Sequence, residues 1–142
     1  MLEIKGFQGQ YRFLSNFYPY ELDFEGRHYL NSEAAYQASK SSCDNIKNGF
    51  TTIDARAARR VGRQITIRSD WEQDKLNVMY RILRAKFAQE PMRGRLLSTD
   101  DAYLEETNYW KDTFWGVYMG VGENHLGKLL MLVRDEIKEG II

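Results

Sequence analysis

The chain has little with which to bind metal or close covalent bridges: 142 residues contain one Cys and two His. Cys43 alone closes no internal disulfide, and so few soft ligands argue against a structural zinc site. No apolar run approaches the roughly 18–20 residues that span a bilayer. Met1 to Gly9 lack the basic-then-apolar layout of a secretory signal, so a cytoplasmic protein without membrane contact is expected. Excess charge of one sign is missing too. Lys plus Arg is 20 and Asp plus Glu is 20, a formal net charge of zero, which argues against a general nucleic-acid coat. Repeats and low-complexity linkers are absent, and Pro occurs only at 19 and 91. A single domain over residues 1–142 is expected.

What is present reads as a folded core. Hydrophobic content is 43% and charged content 28%, with 3 Trp, 9 Tyr and 7 Phe. Tyr20, Leu22 and Phe24 alternate with Glu21, Asp23 and Glu25, and Gly26 sits before His28 to Leu30. This period of two predicts a hairpin. Ser32 is expected to cap a short Ala-rich helix from Glu33 to about Ser39. Thr52 or Asp54 would cap a second helix, Ala55 to Val61, with Gly62 as its stop. From Trp71 a long helix is expected, with Leu76, Met79, Tyr80, Leu83 and Phe87 as its apolar stripe. Pro91 would open a further short helix. Tyr103 to Thr107 and Phe114 to Val121 read as short strands. The last helix runs from about Asn124 to Lys138 on a stripe of Leu126, Leu129, Leu130, Val133 and Ile137, and Gly140 ends it. Helices with a few irregularly placed strands predict an α+β fold rich in helix.

Local charge is uneven. Arg56, Arg59, Arg60, Arg63 and Arg68 lie between Asp54 and Asp70 with no acid among them. Such a segment beside Gly-rich backbone suits a phosphate, although a solvated helix face has the same composition. Gly122-x-x-x-x-Gly127-Lys128 matches the start of a P-loop, but Leu129 stands where magnesium needs Ser or Thr. A Gly-rich helix entry at Asn124, able to receive an anion on its N–H groups, is the better reading. On a helix, Glu33, Tyr36, Gln37 and Lys40 share one face. Glu33 is not at the third helical position, so it is not the Glu of a capping box. The helix dipole there favours its ionised form, which suits a base or a cation stabiliser. An exposed Glu favouring the helix start would look the same. Asp112-Thr113-Phe114-Trp115-Gly116 places an acid beside aromatics, as a pocket for a flat base or as a turn before a strand. Cys43, His28 and His125 have no nucleophile–base pattern around them.

Taken in order, several motifs resemble the NADAR (YbiA-like) family. They are Phe13-Leu14-Ser15-Asn16-Phe17-Tyr18-Pro19 and Asn31-Ser32-Glu33-Ala34-Ala35-Tyr36-Gln37. Trp71, Met79 and Lys86-Phe87 follow, then Asp112-x-Phe114-Trp115-Gly116. Gly122-x-Asn124-x-Leu126-Gly127-x-x-Leu130-Met131-x-x-Arg134 completes the set. The resemblance spans about residues 7 to 138. It implies a helix-rich α+β fold, no cofactor, no metal, and an N-glycosidase. One branch of the family cleaves phosphorylated ribosylamino-pyrimidine intermediates of riboflavin biosynthesis, releasing ribose 5-phosphate. Another removes ADP-ribose from guanine in DNA. Many members carry His after the Ser-Glu pair; here it is Ala34, which leaves the branch open.

The resemblance makes Glu33 the first candidate for the carboxylate beside C1′ and Asp112 the second. Trp71 or Trp115, the latter beside Gly116, would stack on the base. Arg63 or another arginine of the basic segment, with the Asn124 helix end, would hold phosphate, and Asn16 would touch the ligand. A module that reads ADP-ribose without cleaving it is the rival of another class. It has no need of carboxylates at the sugar.

Overall fold

The structure, a computed structural model, describes residues 2–142; Met1, the first residue of the expected domain, lies outside the described residues. In chain order the elements are β1 (Glu3–Lys5), a 3-10 turn (Gly9–Leu14), β2 (Leu22–Phe24) and β3 (Arg27–Tyr29). Helices α1 (Ser32–Ala38), α2 (Asp44–Asn48), α3 (Ala55–Gly62), α4 (Trp71–Phe87) and α5 (Met92–Leu97) follow. Then come β4 (Tyr103–Glu105), β5 (Thr107–Asn108), β6 (Val117–Tyr118) and α6 (His125–Lys138). The fold is α+β. Among the described residues no helix is long and apolar enough to cross a membrane. Two compact units divide the chain: Asn16–Lys86, and Met1–Ser15 with Phe87–Ile142.

Within Asn16–Lys86, β2 and β3 form the expected antiparallel hairpin, with Leu22 opposite Tyr29. Glu25 and Gly26 both take positive φ, 49° and 80°, the backbone of a tight two-residue hairpin turn. Leu22, Phe24 and Tyr29 are buried while Glu21, Asp23 and His28 face solvent, as the alternation requires. Helix α1 differs at its start. Asn31, not Ser32, is the N-cap, and its Oδ1 accepts the Ala34 N–H at 2.7 Å. Ser32 instead donates to Asn16 Oδ1 at 2.9 Å. Helix α3 has Asp54 as its cap, accepting the Ala57 N–H at 2.8 Å. Gly62 does not stop it. It is the last helical residue, and a Cβ there would lie 2.0 Å from Gln37 Oε1. Gly62 is a packing requirement between α1 and α3. Cys43 precedes the short α2 as its N-cap.

On α4 the buried stripe is rotated from the expected one. Trp71, Val78, Met79, Ile82, Leu83, Lys86 and Phe87 are buried, whereas Leu76 is exposed. The sequence pattern fails here because a Lys occupies a core position. Lys86 is 1% exposed, and its Nζ lies 5.9 Å from the centre of the Tyr18 ring.

The other unit holds two parallel pairs, β1 with β4 and β5 with β6. Helix α6 buries Leu126, Leu130, Val133 and Ile137; Leu129 is half-buried. Arg134 joins this core by donating to Thr99 Oγ1 and the Ala102 carbonyl, each at 2.8 Å. Gly127 allows the helix its approach to β4, since a Cβ would meet the Leu104 carbonyl at 2.1 Å. Pro91 is the N-cap of α5. The strand expected over Phe114 to Val121 contracts to Val117–Tyr118, because the loop before it is bent around Asp112.

Burial pushes the Lys86 ammonium down to about 7 from 10.5. In the unfolded chain the amine stays protonated up to its ordinary value. The unfolded state therefore binds more protons between about 7 and 10.5, and stability rises with pH across that window. Chemical denaturation from pH 7 to 10 should show this rise, at most about 1.4 kcal/mol per pH unit. Lys86→Met should flatten it.

Candidate functional site

Helix α1 is short, and all seven of its residues are buried. Ala34, Ala35 and Ala38 are small enough to let neighbouring backbone close in, which leaves room for polar side chains only where they have partners. The entry of the helix is tied down by Asn16. Its carbonyl accepts the Glu33 N–H at 3.1 Å, one of the first-turn donors that lack a partner within a helix. Its Nδ2 reaches Met79 Sδ at 3.4 Å. Asn16 is thus a buried brace for the helix start, a role sequence reasoning did not give it.

Glu33 follows directly. Of its two readings, an exposed Glu at a helix start is overturned, since its side chain is only 6% exposed. Gln37, one turn on, donates from Nε2 to Glu33 Oε2 at 2.7 Å. Arg59 of α3 brings Nε to 3.8 Å from the same oxygen, and its guanidinium lies 4.7 Å from the centre of the Phe17 ring. Lys40 ends this face, 5.7 Å from the centre of the Tyr36 ring. Burial holds the Lys40 ammonium below the usual lysine range. The Glu33 carboxylate opposes that, while Arg59, Arg63 and Lys75 push it lower still. Glu33 thus has Arg59 beside its carboxylate and Lys40 within electrostatic reach, while Arg63 and Lys75 act on Lys40, Lys75 being paired with Glu72 at 2.7 Å. The cations favour an anion, while the carboxylate itself can stabilise a positive charge forming beside it.

Of the Arg-rich segment, only part belongs to this cluster. Arg63 is within electrostatic reach of Lys40. Arg68 is structural: it pairs with Asp70 at 3.0 Å and Asp74 at 2.7 Å, and donates to the Ser39 carbonyl at 2.9 Å. Arg56 and Arg60 are exposed. Trp71 is 4% exposed, packed 5.2 Å from the Tyr36 ring centre and 5.2 Å from the Arg68 guanidinium. Stacking on a base would require one of those neighbours to leave. Sequence reasoning placed Glu33, Tyr36, Gln37 and Lys40 on one face and Arg59 in a segment suited to phosphate, but gave Gln37 and Lys40 no role, set no contact between Arg59 and Glu33, and passed over Lys75. The i, i+4 spacing of Glu33 and Gln37 was the available signal.

The remaining candidates lie in the other unit. Asp112 Oδ1 accepts the N–H groups of Phe114 at 3.1 Å and Trp115 at 2.9 Å. Asn108 clamps the same loop, accepting the Asp112 N–H at 3.0 Å and donating to its carbonyl at 2.9 Å. This is an Asp-centred turn. Trp115 is half-buried, with its ring edge-on to Phe114 at 4.9 Å. Gly116 is buried against Glu106, whose carbonyl would lie 2.1 Å from an added Cβ. Glu106 is a carboxylate that sequence reasoning passed over.

Asn124 corrects an expectation. It stands at the N-cap position of α6 with φ 53°, but its side chain caps nothing. Oδ1 accepts the Glu106 N–H at 3.0 Å, and Nδ2 donates to the Leu104 carbonyl at 2.9 Å. The N–H groups of His125 and Leu126 go to the carbonyls of Phe114 and Trp115. The helix entry expected to receive phosphate thus has its first amides engaged by the Asp112 loop. Among the described residues, no three His, Cys, Asp or Glu side chains gather into a set that could hold a metal ion.

Comparison with known proteins places these features in a family. The NADAR domain model matches residues 5–138. The chain is 39% identical over 132 residues to a riboflavin biosynthesis protein of Vibrio vulnificus, covering 89% of this chain but only 36% of that one. It is 34% identical over 128 residues to the N-glycosidase YbiA of Escherichia coli, covering 87% of this chain and 79% of YbiA. The NMR structure of E. coli YbiA superposes with a TM-score of 0.86 at 31% identity, covering 99% of this chain and 89% of that one. The chain belongs to the NADAR domain family.

Proposed function

We propose that the chain is an N-glycosidase that hydrolyses the C1′–N bond of a phosphorylated ribosylamino-pyrimidine, with Glu33 as the carboxylate at the sugar. Family membership and the name of YbiA support a hydrolase acting on N-glycosyl compounds. The name of the Vibrio relative supports a riboflavin-pathway substrate, although the chain spans about a third of that protein. The observation that carries the reading is the buried Glu33 carboxylate, which accepts from Gln37 and has Arg59 beside it and Lys40 in electrostatic reach.

The chemistry needs both signs of charge. As the C1′–N bond breaks, its electron pair leaves with the base and positive charge builds on C1′ and the ring oxygen. An ionised Glu33 stabilises that charge and orients water toward C1′. The water oxygen forms the new bond to C1′; one of its protons ends on the departing nitrogen. The products are the free amine and ribose 5-phosphate. The cations supply the counter-field for the phosphate, with Arg63 the exposed member of the set. Asp112 serves this protein by shaping its loop, since its Oδ1 is spent on two amides.

A second reading keeps the chemistry and takes ADP-ribosylated guanine in DNA as substrate. The exposed Arg56 and Arg60 of α3, with Arg63 at its C-cap, favour it as a basic surface that suits a phosphate backbone. A reader of ADP-ribose that cleaves nothing is the alternative of another class.

Incubation with ribosylamino-pyrimidine phosphates should release ribose 5-phosphate, and Glu33→Gln should lower turnover by about 100-fold or more while leaving binding largely intact. Wild-type turnover in that variant would remove Glu33 from the mechanism. Release of ADP-ribose from modified DNA, with affinity falling steeply as salt rises, would select the second reading. Binding of ADP-ribose without product from either substrate would select the reader. Asp112→Ala should lower stability by about 1–2 kcal/mol through two orphaned amides. A thermal melt beside a turnover assay separates that loss from a catalytic one.

A further inference from the structure

Gln37 carries an anomaly that the reaction alone does not explain. It is 5% exposed, and its Oε1 is a buried acceptor with no hydrogen-bond partner. Leaving such an atom unsatisfied is costly, and buried amides normally avoid it. Rotating the amide by half a turn would not help. It would set Oε1 against Glu33 Oε2, two acceptors face to face, and give up the 2.7 Å donation from Nε2. The observed orientation serves the carboxylate and leaves the carbonyl end without a partner.

Gly62 explains how that orientation is kept. A Cβ at position 62 would lie 2.0 Å from Gln37 Oε1 and 2.7 Å from Cδ. The Gln37 amide fills the space that any other residue at 62 would occupy. The φ of Gly62 calls for no glycine, since the residue closes a regular helix. Its lack of a side chain answers to Gln37.

We propose that Gln37, seated against Gly62, is a positioning residue that holds the Glu33 carboxylate ionised and aimed, so that α3 acts on the reaction through α1. The inference rests on Glu33 being the carboxylate of the proposed reaction. Arg59, also on α3, reinforces it by placing its Nε 3.8 Å from the same oxygen. Removing the Gln37 donor therefore weakens the hold on Glu33 without abolishing it. A hydrogen bond to the ionised form favours that form, so its loss should make the carboxylate easier to protonate.

The test uses the full chain with Gln37→Met, which keeps length and removes the donor, and Gly62→Ala, which displaces the amide. Against a ribosylamino-pyrimidine phosphate, both should lower kcat by about tenfold, with KM within about twofold. The acid limb of the kcat profile should move to higher pH by about one unit. A direct reading is the carboxyl ¹³C titration of Glu33 by NMR without substrate, assigned with Glu33→Gln. Its midpoint should rise in both variants. A midpoint unmoved in folded Gln37→Met would overturn the inference, as would a loss confined to KM. Because the titration needs no turnover, it stands apart from the test of Glu33 itself. Full activity in Glu33→Gln would sink the catalytic reading; an unmoved titration would sink only the role of Gln37.

Discussion

A carboxylate taken out of water must be given back what the water supplied, and Asn16–Lys86 is arranged around that demand at Glu33. A side chain 6% exposed has lost most of its solvation, and an isolated buried carboxylate would take up a proton. Two contacts answer this: Gln37 donates to Oε2, and Arg59 brings a positive charge near the same oxygen. The Arg59 contact requires α1 and α3 to lie close together. The buried alanines of α1, with Ala55, Ala58 and Gly62 on α3, make that approach. The low side-chain volume of these two helices is a condition of the chemistry.

Much of this was legible in the sequence, and the misses share a cause. The hairpin was readable because alternation and a turn signal are local properties. The Glu33, Tyr36, Gln37, Lys40 face was readable for the same reason. The α1 cap was placed one residue late because Asn31 and Ser32 both suit an N-cap. The choice was made by Asn16, distant in sequence, which takes the Ser32 hydroxyl. Gly62 resembled a helix stop because Gly usually is one; its reason lies in a side chain 25 residues earlier (62 − 37), beyond any local pattern. The stripe of α4 was misaligned because hydrophobicity does not count a Lys as core, yet Lys86 is 1% exposed. The α+β class survived these errors because it depends on the number and kind of elements rather than on their ends.

The Asp112 loop shows the opposite balance. Asp, aromatics and glycines read as a pocket, and the aromatic run read as a strand. In the structure the Asp carboxylate turns the chain before the strand can form, and the carbonyls of Phe114 and Trp115 then take the first amides of α6. Local side-chain hydrogen bonds compete with the sheet ladder, and here they prevail. The same residues that suggested a ligand site thus consume the anion-binding capacity of that helix entry.

This redistribution bears on where a phosphate would be held. With the entry of α6 engaged by carbonyls, the Gly-rich segment has little left to offer an anion at its first amides. The cations that depress the Lys40 ammonium, Arg59, Arg63 and Lys75, belong to Asn16–Lys86, and Arg59 among them lies beside Glu33. A chain with zero net charge can therefore still present a strongly positive locality, because its acids are spent elsewhere as pairs and turn formers. Within that locality Glu33 has Arg59 beside it. A substrate that brings a phosphate and develops a positive sugar meets both signs of charge there, each placed before the reaction begins.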